Sequence, residues 1–124
     1  MFRKTLYPLA ALIVIFGLAA LISAQEKKAT LTGYLVDKMC AAGQAKKADP
    51  MAAASNHSRS CAEKCADSGY GVFADGKYYE FDEKGNDLAK DLLKNSKKEK
   101  GIKVSVEGNV HESHLMVDKI SEVQ

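Results

Sequence analysis

Residues 70–82 read YGVFADGKYYEFD. Two runs rich in aromatic residues and valine flank Asp75-Gly76. That dipeptide suits a two-residue type I′ hairpin, because both central residues must adopt positive φ. The stretch therefore predicts strands at 70–74 and 77–81 joined by the tightest of turns. A chain that commits to a hairpin here is organised around an antiparallel sheet, and the flanking segments decide which one.

Downstream, GNDLAKDLLKNSKKEKG (85–101) has helical spacing. Asn86 reads as an N-cap for a helix over 87–95. Leu88, Leu92 and Leu93 form its apolar stripe, and lysines gather at the C-terminal end where the dipole favours them. GIKVSVEGNV (101–110) alternates, with Ile102, Val104 and Val106 facing inward. HESH (111–114) makes a turn, and LMVDKISEV (115–123) is the last strand. Upstream, ATLTGYLVD (29–37) also alternates and reads as the first strand, with Leu31, Gly33 and Leu35 on one face.

Between that strand and the hairpin lies the segment with all three cysteines. KMCAAGQAKKADPMAAASN (38–56) is Ala-rich without a clear period and is expected to be a long, mobile loop. SCAEKCADSG (60–69) is expected to be a short helix. Ser60 and Glu63 match a capping box, and Gly69 suits the left-handed residue that ends a helix. A start near Ser55 is the alternative, and it would bring His57 into the first turn.

With the cysteine-bearing segment set aside, the order is β-β-β-α-β-β. This is the element order of the OB-fold, a five-stranded, partly open Greek-key barrel. The expected fold is mainly β with short helices: a small five-stranded OB-like barrel with a Cys/His-bearing insertion between strands 1 and 2. An open α+β sheet built from the same elements is the alternative.

The chain begins MFRKTLYPLAALIVIFGLAALISAQEKK. Arg3 and Lys4, the apolar run over 6–22 and the small residue Ala24 have the build of a secretory signal peptide cut before Gln25. The alternative is an uncleaved N-terminal anchor. The expected organisation is therefore a signal peptide at 1–24 and a single domain at 25–124, exported to the periplasm or the exterior, touching the membrane only through the signal segment before cleavage. The sequence holds 18 Lys and Arg against 16 Asp and Glu. Losing Arg3 and Lys4 leaves equal numbers of each sign. A neutral domain offers no electrostatic case for nucleic acid as a partner.

His57, Cys61 and Cys65 stand at i, i+4 and i+8, with Cys40 upstream. Thiolate and imidazole are ligands of zinc and cuprous copper, and three cysteines with one histidine form a known zinc set. Each four-residue step drifts ~40° around a helix, so the three would line one stripe if the helix includes His57. That stripe is ~12 Å long, too long for one tetrahedral ion. Cys40, Cys61 and Cys65 are thus the compact expectation, with His57 as an optional fourth ligand. The competing expectation is a disulfide from Cys40 to Cys61 or Cys65, worth ~3 kcal/mol in the chain-entropy account. A thiol-disulfide oxidoreductase is a distant third, because the spacing is Cys-x3-Cys rather than Cys-x-x-Cys.

TGYLVDKMC, HSRSCAEKCADSGYGV, DGKYYEFD and KVSVEGNV together resemble a group of small secreted bacterial proteins with no assigned activity. The shared pattern is Gly-x-Leu-x-Asp-x-x-Cys followed by His-x3-Cys-x3-Cys. The resemblance covers nearly all of the chain after the signal segment and implies that Cys40, His57, Cys61 and Cys65 belong to one constellation. CAEKC also looks like the core of a dinuclear copper centre, but the His and Met needed after the second Cys are missing.

His111 and His114 flank a turn and are expected to face solvent. Met39 reads as a core residue or a soft copper ligand, and Asp37 and Glu63 read as caps or groups supporting the cysteines. No catalytic residues and no organic cofactor are indicated. The expected function is a non-enzymatic binding module, its partner a zinc or copper ion or an envelope protein.

Overall fold

The computed structural model describes residues 27–124. The expected signal segment at 1–24 lies outside the described residues. Five strands carry the fold: β1 (Lys27–Asp37), β2 (Tyr70–Ala74), β3 (Lys77–Phe81), β4 (Lys103–His111) and β5 (His114–Glu122). They close into a barrel in the order β1-β2-β3-β5-β4, with β4 returning to β1. All neighbours are antiparallel except β3 and β5, which meet in parallel through Glu80–His114 and Phe81–Leu115. This is the OB-like barrel read from the element order.

The hairpin forms where its dipeptide puts it. Asp75 and Gly76 have φ of 51° and 79°, the pair of positive values that a type I′ turn requires. Inside the barrel, Leu35, Val72, Phe81, Val104, Val106, Leu115 and Val117 are buried together. Gly33 lies where β1 crosses close to β2. A Cβ there would stand 1.8 Å from the Phe73 carbonyl oxygen, so no other residue fits that crossing.

Helix α4 (Glu83–Asn95) covers one end of the barrel with Ala89 and Leu93, flanked by half-buried Leu88 and Leu92. It starts earlier than expected. Asp82, not Asn86, is the cap, and its carboxylate accepts from the Gly85 amide at 2.9 Å. Gly85 sits in the first turn because a Cβ there would come within 2.8 Å of both Val117 and Phe81. Asn86 serves the barrel instead, accepting from the Tyr70 amide at 2.8 Å.

The insertion is more ordered than its composition suggests. The expected mobile loop contains two helices, α1 (Lys38–Gln44) and α2 (Pro50–Ser55). Each begins at a capping aspartate: Asp37 accepts from the Cys40 amide and Asp49 from the Ala52 amide. Pro50 occupies the first helical turn, where its missing N–H costs nothing. The cysteine-rich helix α3 (Arg59–Lys64) is capped by Ser58 rather than Ser60 and leaves His57 outside. A 3₁₀ turn (Ala66–Ser68) and Gly69, with φ 85°, deliver the chain to β2.

The insertion packs on the outer face of β1 and β2. Val36 and Phe73 point away from the barrel interior and form a second small core with Ala41 and Ala54. The end of β1 is therefore buried on both sides, Leu35 inward and Val36 outward. Backbone bonds stitch the insertion to the α4–β4 connection, Arg59 N–H to the Glu99 carbonyl and Gly101 N–H to the His57 carbonyl.

Candidate metal centre

Where β1 hands over to α1, Asp37 has two tasks. Its Oδ2 caps α1 by accepting from the Cys40 amide at 2.9 Å. Its Oδ1 lies 2.7 Å from Nε2 of His57. The Asp37 side chain is fully buried and that of His57 is 7% exposed. A carboxylate in such a place must be fully hydrogen-bonded, and this one is engaged through both oxygens.

His57 reaches Asp37 from the connection between α2 and α3. Its backbone is held on both sides, N–H to the Ala54 carbonyl and C=O from the Gly101 amide. The far ring nitrogen, Nδ1, lies 3.1 Å from the Gln44 side-chain nitrogen. Gln44 ends α1 and is itself buried, and its Oε1 is the one buried side-chain polar atom without a partner among the described residues.

Cys40 completes the cluster. An N-cap side chain bonds the amide three residues on, so Asp37 and the residue at that third position are neighbours by construction. One donor atom each from Asp37, Cys40 and His57 fall within 4.8 Å of one another. Burial pushes the Cys40 thiol up to about 11, helped by the charge and hydrogen bond of Asp37 and then by Cys65 and Cys61. An apolar setting beside a carboxylate keeps the sulfur protonated. A divalent cation in the same place would reverse that preference.

The other cysteines of the sequence pattern are nearby but differently placed. Cys61 is exposed in the first turn of α3, and Cys65 is half-buried as the C-cap. Neither is among the three residues of the compact cluster. A cavity of about 620 Å³ opens beside the site, lined by His57, Gln44, Asp49, Ser58 and Cys61 among others.

The disulfide expectation is overturned. All three cysteines are free thiols, so neither Cys40–Cys61 nor Cys40–Cys65 exists. The physical reason lies in α1 and α2. The segment that a disulfide was expected to tie down is ordered by its own caps and its own small core, and Cys40 turns toward Asp37. Met39 also departs from its core reading, being 67% exposed. His111 and His114 are exposed at the β4–β5 turn as expected.

Two members of the site were undervalued in the sequence. Asp37 read only as a cap or a supporting group, although Asp-x-x-Cys at the end of an apolar strand carries the cap geometry that joins the two side chains. Gln44 carried no signal, since its role comes from the tertiary approach of His57. Comparisons of the chain with family models, with curated proteins and with solved structures find no match.

Proposed function

We propose that this is an exported, non-enzymatic binding module that holds a zinc ion through Asp37, Cys40 and His57. The observation that carries the reading is the meeting of a carboxylate, a thiol and an imidazole within 4.8 Å, on three segments of the fold. Zinc is bound by just these three donor types, in four-coordinate sites. The carboxylate favours zinc over cuprous copper, which prefers an all-soft set. Ligands ~2.0–2.1 Å from a tetrahedral ion stand ~3.3 Å apart, so the His57–Asp37 contact would open by ~0.6 Å. The fourth position falls to a water or to a second thiol, Cys65 or Cys61.

A binding role is favoured over catalysis by the state of the same groups. The Cys40 thiol is held away from its nucleophilic form. Export rests on the sequence of residues 1–24, and it would bring an envelope protein into reach as donor or recipient of the ion.

The test is direct. Protein equilibrated with excess zinc and then desalted should retain one zinc by elemental analysis. Cys40→Ser, His57→Ala and Asp37→Asn should each weaken binding at least tenfold, measured by competition with a chelating dye. Retention of no zinc by the wild-type chain, or wild-type affinity in Cys40→Ser, would end this reading.

A further inference from the structure

Gln44 has an unusual environment for a polar residue. It is 8% exposed, its amide nitrogen faces Nδ1 of His57 at 3.1 Å, and its Oε1 is buried with no partner. Buried amide oxygens without a partner cost on the order of 1–3 kcal/mol. An uncompensated cost beside a candidate ion site asks what state of the site would remove it.

The proton positions supply an answer. With the amide nitrogen turned toward the ring, the amide donates and Nδ1 accepts. The ring proton then sits on Nε2 and is donated to Oδ1 of Asp37, which matches the 2.7 Å contact. In this arrangement Nε2, the nitrogen facing the carboxylate, has no lone pair to offer an ion. An ion shared by Asp37 and His57 must take Nε2, because Nδ1 faces Gln44 instead. The ring proton must then move to Nδ1, where it would confront the N–H groups of the amide.

We propose that Gln44 is the positioning residue of this site, and that a half-turn of its side-chain amide accompanies ion binding. The inference rests on the zinc reading above. After the half-turn, Oε1 accepts from Nδ1–H and the orphaned oxygen gains its partner. His57 is fixed as the tautomer whose Nε2 lone pair points at the ion. The balance is simple: Cys40 releases its thiol proton to solvent as the sulfur binds, while His57 keeps one proton and moves it from Nε2 to Nδ1. No oxidant or reductant takes part. Metal-binding histidines generally rely on such an acceptor at the second nitrogen, and removing it typically costs 10- to 100-fold in affinity. The amide also differs from a fixed carbonyl in serving both states, as donor in the empty site and acceptor in the filled one.

The experiment is ring-nitrogen NMR of the protein with ¹⁵N-labelled histidine, titrated with zinc. In the zinc-free protein His57 should show a protonated Nε2. At one equivalent, Nε2 should show the shift of a metal-bound nitrogen and Nδ1 should carry the proton. The Gln44 side-chain amide resonances should move in step. Gln44→Leu should weaken zinc binding 10- to 100-fold, and Gln44→Glu, which keeps an acceptor toward Nδ1–H, should recover most of the loss.

Zinc bound through Nδ1, or a proton remaining on Nε2 at saturation, would overturn the proposal while leaving the zinc reading intact. Wild-type affinity in Gln44→Leu would do the same. A wild-type chain that takes up no zinc would overturn both. The wild-type tautomer decides the matter even if Gln44→Leu does not fold.

Discussion

β1 pairs with β4 over eight residues and with β2 over four, whereas the helices of the insertion have seven, six and six residues. The barrel is held by ladders and an apolar interior. Helices as short as those of the insertion are unstable alone, and they persist here through their caps and through contact with Val36 and Phe73 on the barrel's outer wall. Each region handles polar groups accordingly. Among the described residues the main core has the Tyr70 hydroxyl to satisfy, which donates to the Ala62 carbonyl at 2.8 Å, while Asp37 at the end of β1 and Gln44 in the insertion are buried on either side of a shared partner, His57. Polar burial is costly unless paired, and the junction of β1 with the insertion is where a buried carboxylate, an imidazole and an amide meet.

The strongest way to break this contrast is through the barrel. Leu115 is fully buried in the main core, and Leu115→Ala should cost about 3 kcal/mol. Because the insertion has only the barrel wall to rest on, both regions should lose stability together in urea unfolding followed by far-ultraviolet circular dichroism. Separate transitions would mean that the insertion stands by itself.

A smaller and more local effect is expected from Asp37→Ala. It removes the α1 cap, worth about 1 kcal/mol, and leaves His57 without its partner. Amide hydrogen exchange should accelerate over 38–57 and stay near wild type in β4 and β5. Uniform acceleration would show that the aspartate supports the barrel as well.

The smallest effect is a matter of alkaline pH. Burial raises Cys40 from 9.0 to about 11. The unfolded chain therefore ionises this thiol first, and the stability linked to its neutral form is complete below pH 9 and lost as pH rises toward 11. Cys40→Ser should flatten that part of the urea-midpoint profile. In the folded protein at pH 8, a thiol reagent should modify exposed Cys61 before the half-buried Cys65 and Cys40, with Cys40 last because its thiol is pushed up to about 11. Early modification of Cys40 would contradict the upward push on its thiol.

The two regions also differed in how far their sequences could be read. The β-rich runs on either side of the Asp75-Gly76 turn place β2 and β3 at their observed bounds, because that dipeptide fixes where a two-residue hairpin reverses. The start of α4 is hidden in the sequence because Gly85 looks like a turn, while only the packed structure reveals that Val117 and Phe81 demand a glycine. In the insertion, α1 and α2 are too short to show a period, and alanines on every side hide which face is buried. Their caps were legible all the same: Asp49-Pro50 is a helix start in two letters, and Asp37 stands three residues before Cys40. The His57–Gln44 contact depends on two connections folding against each other, and no local pattern encodes it.

The two-sided burial at the end of β1 ties the candidate site to the finished fold. Asp37 is positioned by a strand that is paired on both edges, to β4 and to β2. Cys40 and His57 meet it from α1 and from the connection between α2 and α3, segments that rest on that strand's outer face. An unfolded chain therefore has no such trio to offer an ion. This order is the reverse of a zinc finger, where the metal drives folding. On the zinc reading, the molecule would be a finished vessel before it is filled, and its supply of ion would be governed by what it meets once folded.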